Sequence, residues 1–197
     1  DAILVSIFSY LSGSIPFGLI LTKLFAGKDI RNIGSGNIGA TNVLRTGNKF
    51  LAVLTLILDI LKGFAPVIIT KQYFPEFIQL SALVAFLGHI FPIWLKFKGG
   101  KGVATYLGIL FALSLQLSLL FIFTWLVVSL IFKYSSLSSM FSTLTVFMVT
   151  LIKDNILKSI DPNINTGEDL VIILFIFCVL IVFTHRKNIS NLKNKTE

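Results

Sequence analysis

Long apolar segments alternate with short polar ones along the chain, and this pattern predicts seven membrane-spanning helices. A helix needs about 20 apolar residues to cross the hydrocarbon core, and shorter helices are tolerated where they pack inside a bundle. The fourth segment is short, and only a weak break at residues 114–117 separates it from the fifth. The first segment lacks the basic start and small-residue exit of a cleaved signal peptide, so we expect it to be a retained span. The predicted spans are residues 2–24, 50–70, 77–95, 103–113, 115–132, 137–152 and 170–184.

The composition supports a membrane protein and excludes a soluble one. Of the 197 residues, 55% are hydrophobic and only 13% are charged, which leaves too little polar surface for a soluble fold. The long, almost uncharged segments also exclude a soluble helical protein, because its helices would have a polar face. We therefore predict an all-α integral membrane protein that forms a single polytopic membrane domain over residues 1–197.

The distribution of basic residues predicts which side of the membrane each loop faces, because cytoplasmic loops carry an excess of lysine and arginine. The best arrangement has the N-terminus outside and the C-terminus in the cytoplasm, and it leaves only Lys71, Lys153 and Lys158 on the outside. The acids on the outside are then Asp1, Glu76, Asp154, Asp161, Glu168 and Asp169. The cations on the cytoplasmic side are Lys23, Lys28, Arg31, Arg45, Lys49, Lys96, Lys98, Lys101, Lys133, Arg186, Lys187, Lys193 and Lys195.

The first loop, residues 34–45, follows the first predicted span and is rich in glycine and polar residues. Its glycines, Gly36 among them, permit positive φ angles and bring backbone N–H groups close to a ligand. If a short helix begins near Asn37, then Asn37, Thr41 and Arg45 share one face through their four-residue spacing. That face and the turned N–H groups would bind a phosphate. The alternative is a glycine-rich connector with solvated polar side chains.

The second loop, residues 96–102, places three lysines among glycines directly before an apolar helix. It is not a nucleotide-binding P-loop, because the spacing to a final Gly-Lys-Ser/Thr is missing and no strand precedes it. Backbone amides at a helix start and lysine charge can still bind a phosphate. The alternative is a lysine cluster that only sets the membrane orientation. The candidate binding residues are Lys98, Gly99, Gly100, Lys101 and Gly102.

Polar residues at two further predicted helix ends are candidates for the same site. Ser136 and Ser139 precede or begin the sixth span, where they would donate to an anion or satisfy neighbouring backbone. The residues after the seventh span would bind an anion or anchor the helix at the membrane surface. These residues are His185, Arg186 and Asn188.

The histidines and the cysteine do not predict a metal site. His89, near the inner end of the third span, is either a ligand residue or a packing residue at a helix end. Neither His89 nor His185 has an acidic partner nearby in sequence, so we predict no metal ion. Cys178 lies inside an apolar segment and is expected to be a small core residue.

Two features inside the spans are expected to be structural. Asp59 and Lys62 are three residues apart in the second span and can pair across one helical turn. Residues 12–18 supply small side chains for close helix packing and a proline that bends the first span.

These motifs together resemble those of the acyl-phosphate-dependent glycerol-3-phosphate acyltransferase (PlsY) family. The resemblance implies transfer of a fatty acyl group from acyl phosphate to the sn-1 hydroxyl of glycerol-3-phosphate, the first step of phospholipid synthesis. It also implies seven spans in the bacterial plasma (inner) membrane and an active site that faces the cytoplasm. The chain departs from the family pattern at Lys187, where an acidic residue is expected. The motifs are residues 12–18, 34–45, 58–63, 88–92, 96–105 and 185–188.

The resemblance also implies roles for individual residues. The phosphates would be held by Ser35, Arg45, Lys101, His185 and Asn188, and Thr41 and Ser139 would assist the acyl phosphate. Among these, we assign Ser35, Arg45 and Lys101 to catalysis. The other expected substrate-binding residues are Gly36, Asn37, His89, Lys98, Gly99, Gly100, Gly102, Ser136 and Arg186.

The sequence favours a reaction without a catalytic histidine and without a cofactor. Many acyltransferases use a histidine with an aspartate four residues on, but here those positions are Ile93 and Ile189. Acyl phosphate is already activated, and its phosphate can take the proton of the attacking hydroxyl. The expected partners are acyl phosphate, glycerol-3-phosphate and membrane lipid; nucleic acid is not expected despite the net charge of +8. The main alternative is a membrane transporter for a phosphorylated metabolite.

Overall fold

The computed structural model describes residues 1–160 and 168–193, and within these ranges the regular structure is entirely helical. The chain divides into two compact units, residues 1–113 and the residues from Ser114 onward. The single-domain organisation therefore stays a prediction. Five residues that were assigned to a side of the membrane lie wholly or partly outside the described part of the chain. Asp161 and Lys195 are not described, and neither are the side chains of Lys158, Glu168 and Lys193.

The first unit contains six α-helices and three short 3-10 turns. The turns are Ile30–Asn32, Pro75–Phe77 and Ile93–Leu95. The helices are α1 (Ala2–Ser14), α2 (Phe17–Ala26), α3 (Ala40–Leu44), α4 (Lys49–Tyr73), α5 (Ile78–Ile90) and α6 (Val103–Leu113).

The second unit contains four α-helices in its described residues. Ser114 caps the first of them, because its Oγ accepts the N–H of Leu117 at 3.4 Å. This cap explains why the weak break that the sequence indicates is a true helix boundary. The helices are α7 (Leu115–Phe132), α8 (Ser135–Ile160), α9 (Glu168–Thr184) and α10 (Arg186–Lys193).

The helices match the apolar segments closely. Five helical stretches of the described chain are long and apolar enough to cross a membrane, and two shorter apolar helices, Val103–Leu113 and Asp169–Thr184, accompany them. Each stretch coincides with one predicted span, although several extend a few residues further. The all-helical membrane architecture is confirmed, whereas the count of seven spans and their orientation stay predictions. The five are Ala2–Ala26, Lys49–Tyr73, Pro75–Leu95, Leu115–Phe132 and Ser135–Ile156.

The first span is broken into α1 and α2, as its proline predicts. Ile15 is extended, and Pro16 has no N–H to continue the helical ladder. Lys62 of α4 reaches this break, where its Nζ donates to the carbonyl oxygen of Ile15 at 2.6 Å. The same Nζ lies 2.7 Å from the Asp59 carboxylate, and both side chains are buried. The predicted pair therefore forms, and it also stabilises the broken backbone of the neighbouring helix.

Glycines bring the helices of the first unit into backbone contact. A Cβ atom on Gly13 of α1 would overlap the backbone of Ala85 in α5, and one on Gly88 would overlap the backbone of α1. Gly63 of α4 and Gly108 of α6 form a second contact of this kind, against Thr105 and Ile60. Small residues allow this close approach in membrane helices. The contacts fix α5 against α1 and α6 against α4, and so they position the loops at the helix ends.

Candidate active site

The side chain of Asn42, in α3, organises the first loop. Its Oδ1 accepts the N–H of Ser35 at 3.0 Å. Its Nδ2 lies within hydrogen-bond distance of three carbonyl oxygens, those of Ile30 (3.0 Å), Ile33 (2.9 Å) and Asn37 (2.8 Å). Sequence reasoning did not single out Asn42. The sequence feature that could have identified it is an amide side chain inside a loop without regular backbone hydrogen bonding. Such a side chain can donate and accept hydrogen bonds at the same time.

The loop turns sharply at two glycines. Gly34 has a φ of 53° and Gly36 a φ of 69°, so both need the left-handed conformation that glycine adopts without strain. Gly39 does not, because its φ is −85°. A Cβ atom on Gly34 would lie 2.6 Å from Asn42 Oδ1 and 2.7 Å from Arg45 Cδ. The turn at Gly34 thus packs directly against the side chains of Asn42 and Arg45.

The helix after this turn begins later than the sequence predicts. Gly39 is the residue before α3, which begins at Ala40 rather than near Asn37. The Asn37 side chain accepts the N–H of Gly39 at 3.3 Å, and this local turn delays the helix. Asn37 therefore does not share a helix face with Thr41 and Arg45. The latter two keep their four-residue spacing, and both side chains are exposed.

The cations near the first loop differ in whether an acid neutralises them. Arg31 forms an ion pair with Asp29 at 2.6 Å, and Lys23 lies 3.6 Å from the same carboxylate. The hydrogen-bonded Arg31 guanidinium holds the pKa of Asp29 well below its usual range. In the described part of the chain, no carboxylate pairs with Arg45. The charge of Arg45, beside the turned segment of the loop, is therefore available to an anion.

The second loop folds back onto the end of α5. The N–H of Gly99 donates to the carbonyl oxygen of Ile90 at 3.1 Å, and the N–H of Gly100 donates to that of His89 at 3.2 Å. These two amides cap a helix end, so they are not directed at a phosphate as the sequence analysis expected. Gly102 has a φ of 84° and packs against the ring of Phe86, which requires glycine there.

The side chain of His89 packs against the second loop. The side chain is buried, and its Nδ1 lies 2.9 Å from the hydroxyl of Thr105. A Cβ atom on Gly100 would overlap Nε2 of the ring. The structure therefore places His89 in the packing position that was its alternative interpretation. Lys98 is exposed and Lys101 is half-buried on the loop above it.

Both loops rest on one apolar cluster of the first unit. Ile38 and Val43 of the first loop are buried in this cluster with Leu19 and Leu21 of α2. Leu95, which precedes the second loop, packs against the same cluster. The two loops therefore lie at the same end of the first unit, as a shared phosphate site requires.

In the second unit, the predicted serines are buried in α8. The Ser139 hydroxyl donates to the carbonyl oxygen of Ser135 at 2.8 Å and accepts the N–H of the Trp125 indole at 3.2 Å. Ser136 is also buried. Ser139 thus links α7 to α8 within this unit.

The residues after α9 differ in exposure. His185 is buried, and its Nδ1 lies 2.8 Å from the carbonyl oxygen of Ile181, so this nitrogen is the donor. Arg186 is exposed, with its guanidinium 4.5 Å from the centre of the Phe183 ring. Asn188 is half-buried in α10. His185, Arg186 and Asn188 therefore stand together at the junction of α9 and α10.

The fold and its polar residues define a class of protein. It is an all-helical integral membrane protein that carries glycine-rich, positively charged loops at the ends of helices in its first unit. The chain belongs to the glycerol-3-phosphate acyltransferase family, whose family model matches residues 3–195. It is therefore a membrane-bound acyltransferase of phospholipid synthesis.

Relatives and solved structures agree with this assignment. A glycerol-3-phosphate acyltransferase of Pelagibacter ubique is 54% identical over 100% of this chain and 96% of the relative. One of Mesorhizobium japonicum is 51% identical over 99% of this chain and 94% of the relative. The crystal structure of PlsY (YgiH), an integral membrane glycerol 3-phosphate acyltransferase, in its glycerol 3-phosphate form has a TM-score of 0.89 and 38% identity, and covers 100% of this chain and 94% of that one. Its lysophosphatidic acid form gives a TM-score of 0.87.

Proposed function

We propose that the acyl donor is acyl phosphate and that the acyl group goes to the sn-1 hydroxyl of glycerol-3-phosphate. The hydroxyl oxygen attacks the acyl carbonyl carbon, the bond from that carbon to the phosphate oxygen breaks, and phosphate leaves. The products are 1-acyl-glycerol-3-phosphate (lysophosphatidic acid) and phosphate. The solved relative, captured in a glycerol 3-phosphate form and a lysophosphatidic acid form, supports this acceptor and product.

The proton of the attacking hydroxyl passes to an oxygen of the leaving phosphate. The burial of His89, whose Nε2 lies directly against Gly100, supports this route. His89 is buried with its Nδ1 beside the Thr105 hydroxyl, and His185 uses its Nδ1 on the Ile181 carbonyl. The protein then contributes position and charge rather than proton transfer.

One observation carries this proposal: Arg45 has no acidic partner among the described residues and stands beside the left-handed turn at Gly34. With Ser35 on that turn and Lys101 on the second loop, it would bind the phosphates of both substrates. The residues that join them from the first unit are Asn37, Thr41, Lys98 and Gly102, whereas the N–H of Gly36 already donates to the Ile33 carbonyl oxygen at 3.0 Å. A substrate-binding role for Ser136, Ser139, His185, Arg186 and Asn188 of the second unit stays a prediction of the sequence.

The enzyme works at the cytoplasmic face of a bacterial plasma membrane, with seven spans and the N-terminus outside. The excess of cations in one set of loops supports this orientation. Glycerol-3-phosphate would enter from water, and the acyl chain would lie among the apolar helices. Each buried methylene adds only about 0.8 kcal/mol, so contact alone discriminates chain lengths weakly.

The donor is tested with the purified protein, labelled glycerol-3-phosphate and three palmitoyl donors: acyl phosphate, the coenzyme A thioester and the carrier-protein thioester. We expect product only with acyl phosphate, and phosphate release that requires glycerol-3-phosphate. Product from a thioester with none from acyl phosphate would overturn the proposal. Uptake of glycerol-3-phosphate into proteoliposomes without a donor would favour the transporter instead.

The role of Arg45 is tested with Arg45→Ala. Loss of one charged contact to the transition state is worth about 2–4 kcal/mol, which corresponds to a fall in kcat/KM of about 30- to 900-fold. Arg31→Ala is the matched control, because Asp29 already neutralises Arg31. Equal activity of the two variants, both folded, would show that Arg45 does not bind the phosphates.

A further inference from the structure

The geometry points to Asn42 as a positioning residue for phosphate binding, which it serves without touching the substrate. The side chain is 2% exposed, so it cannot itself face a ligand. Both of its polar atoms are used within the protein, Oδ1 on one N–H group and Nδ2 on three carbonyl oxygens. The inference rests on the proposed function, because it concerns the same phosphate site.

The bonds of Asn42 enclose the turned part of the first loop. The carbonyls of Ile30 and Ile33 precede the turn at Gly34, and the carbonyl of Asn37 follows it. The N–H that Oδ1 accepts belongs to Ser35, inside the turn. One side chain therefore takes the place of the strand or helix pairing that would otherwise hold such a backbone.

Asn42 also connects the turn to Arg45. Both side chains project from the segment of α3 and its end, and both lie against Gly34. As long as Asn42 holds the N–H of Ser35, the backbone that carries Ser35 keeps its position relative to the end of α3, from which Arg45 projects. A misplacement of about 1 Å in such a pair can cost about 100-fold in rate.

Only an amide satisfies this arrangement. Leucine has the same branched side-chain skeleton but neither donates nor accepts, and an ionised aspartate would repel the three carbonyl oxygens. A protonated aspartate regains one donor and so restores part of the arrangement. This chemistry gives a signature in pH that loss of packing does not produce.

The test measures kcat, KM for glycerol-3-phosphate, KM for acyl phosphate and thermal unfolding of the detergent-solubilised protein. The variants are Asn42→Leu and Asn42→Asp, with the exposed Asn32→Asp as the matched control. We expect kcat/KM for glycerol-3-phosphate to fall about 100-fold per folded molecule in both Asn42 variants. We expect the activity of Asn42→Asp, relative to the parent protein, to rise as the pH is lowered from 8 to 5, while Asn32→Asp follows the parent.

The proposal is overturned if folded Asn42→Leu keeps both KM values and kcat within twofold of the parent. Should neither Asn42 variant fold, Gly34→Ala decides, because its methyl group would displace the Asn42 and Arg45 side chains without removing either. Unchanged kcat and KM values in Gly34→Ala would then refute the positioning role of Asn42. If Arg45→Ala loses activity while the Asn42 variants keep the kinetics of the parent, this inference is wrong and the proposed function stands. If Arg45→Ala keeps full activity, the proposed function is wrong.

Discussion

Replacing Lys62 by methionine is expected to destabilise the first unit strongly. The Lys62 ammonium holds two buried acceptors, the Asp59 carboxylate at 2.7 Å and the Ile15 carbonyl oxygen at 2.6 Å. The side chains of Lys62 and Asp59 are 2% and 3% exposed, so water does not replace the lost contact. Methionine fills similar space but leaves the carboxylate without its partner.

The size of the effect follows from the burial of the pair. Breaking a buried ion pair on one side costs about 3–5 kcal/mol of unfolding free energy. For a chain of this length, each kcal/mol shifts Tm by about 2–4 °C, so we expect Tm to fall by about 6–20 °C. Because the costs arise from one network, the loss of the Ile15 hydrogen bond is not added separately.

The assay is thermal unfolding in mild detergent, followed by the fluorescence of the tryptophans. Lys71→Met is the matched control, since Lys71 lies in the same helix, is exposed and makes only a 3.4 Å contact to Ala112. The double variant Asp59→Leu with Lys62→Met removes both charges and should recover most of the lost stability. A double variant as unstable as Lys62→Met alone, or a single variant as stable as Lys71→Met, would refute the argument.

Three further predictions concern the loops. Asp29→Asn should cost less than about 1 kcal/mol at neutral pH. Because Arg31 holds the pKa of Asp29 well below its usual range, the difference from the parent should shrink as the pH falls from 5 toward 2; an unchanged difference in Tm would contradict this. Gly100→Ala should lower kcat/KM about tenfold or more through its clash with the His89 ring, and adding His89→Ala should restore part of it. Finally, Lys101→Ala should lose more activity than His89→Ala, and the opposite order of kcat/KM values would indicate a histidine base.

The membrane helices were predictable because the bilayer imposes a simple requirement on sequence. Each span must be long and apolar, so the segments could be read directly from the chain. The break in the first span was also predictable, because Pro16 acts through its own missing N–H. Features set by local chemistry were thus predicted well.

The details of the two loops were not predictable, because long-range contacts decide them. The amides of Gly99 and Gly100 looked suited to a phosphate, but the end of α5 supplies them with carbonyl acceptors. The side chain of Asn37 forms a turn where a helix start was expected. The role of Asn42 could not be predicted because its four hydrogen-bond partners are five to twelve residues away in sequence.

The glycine contacts between helices of the first unit limit how far these helices can slide along one another. If α5 slid along α1 by one position, a side chain would arrive where Gly13 or Gly88 now meets backbone, and the helices would have to separate. The same holds for α4 and α6 at Gly63 and Gly108. We therefore expect movement in the first unit to occur in its loops rather than by sliding of α1 against α5 or of α4 against α6.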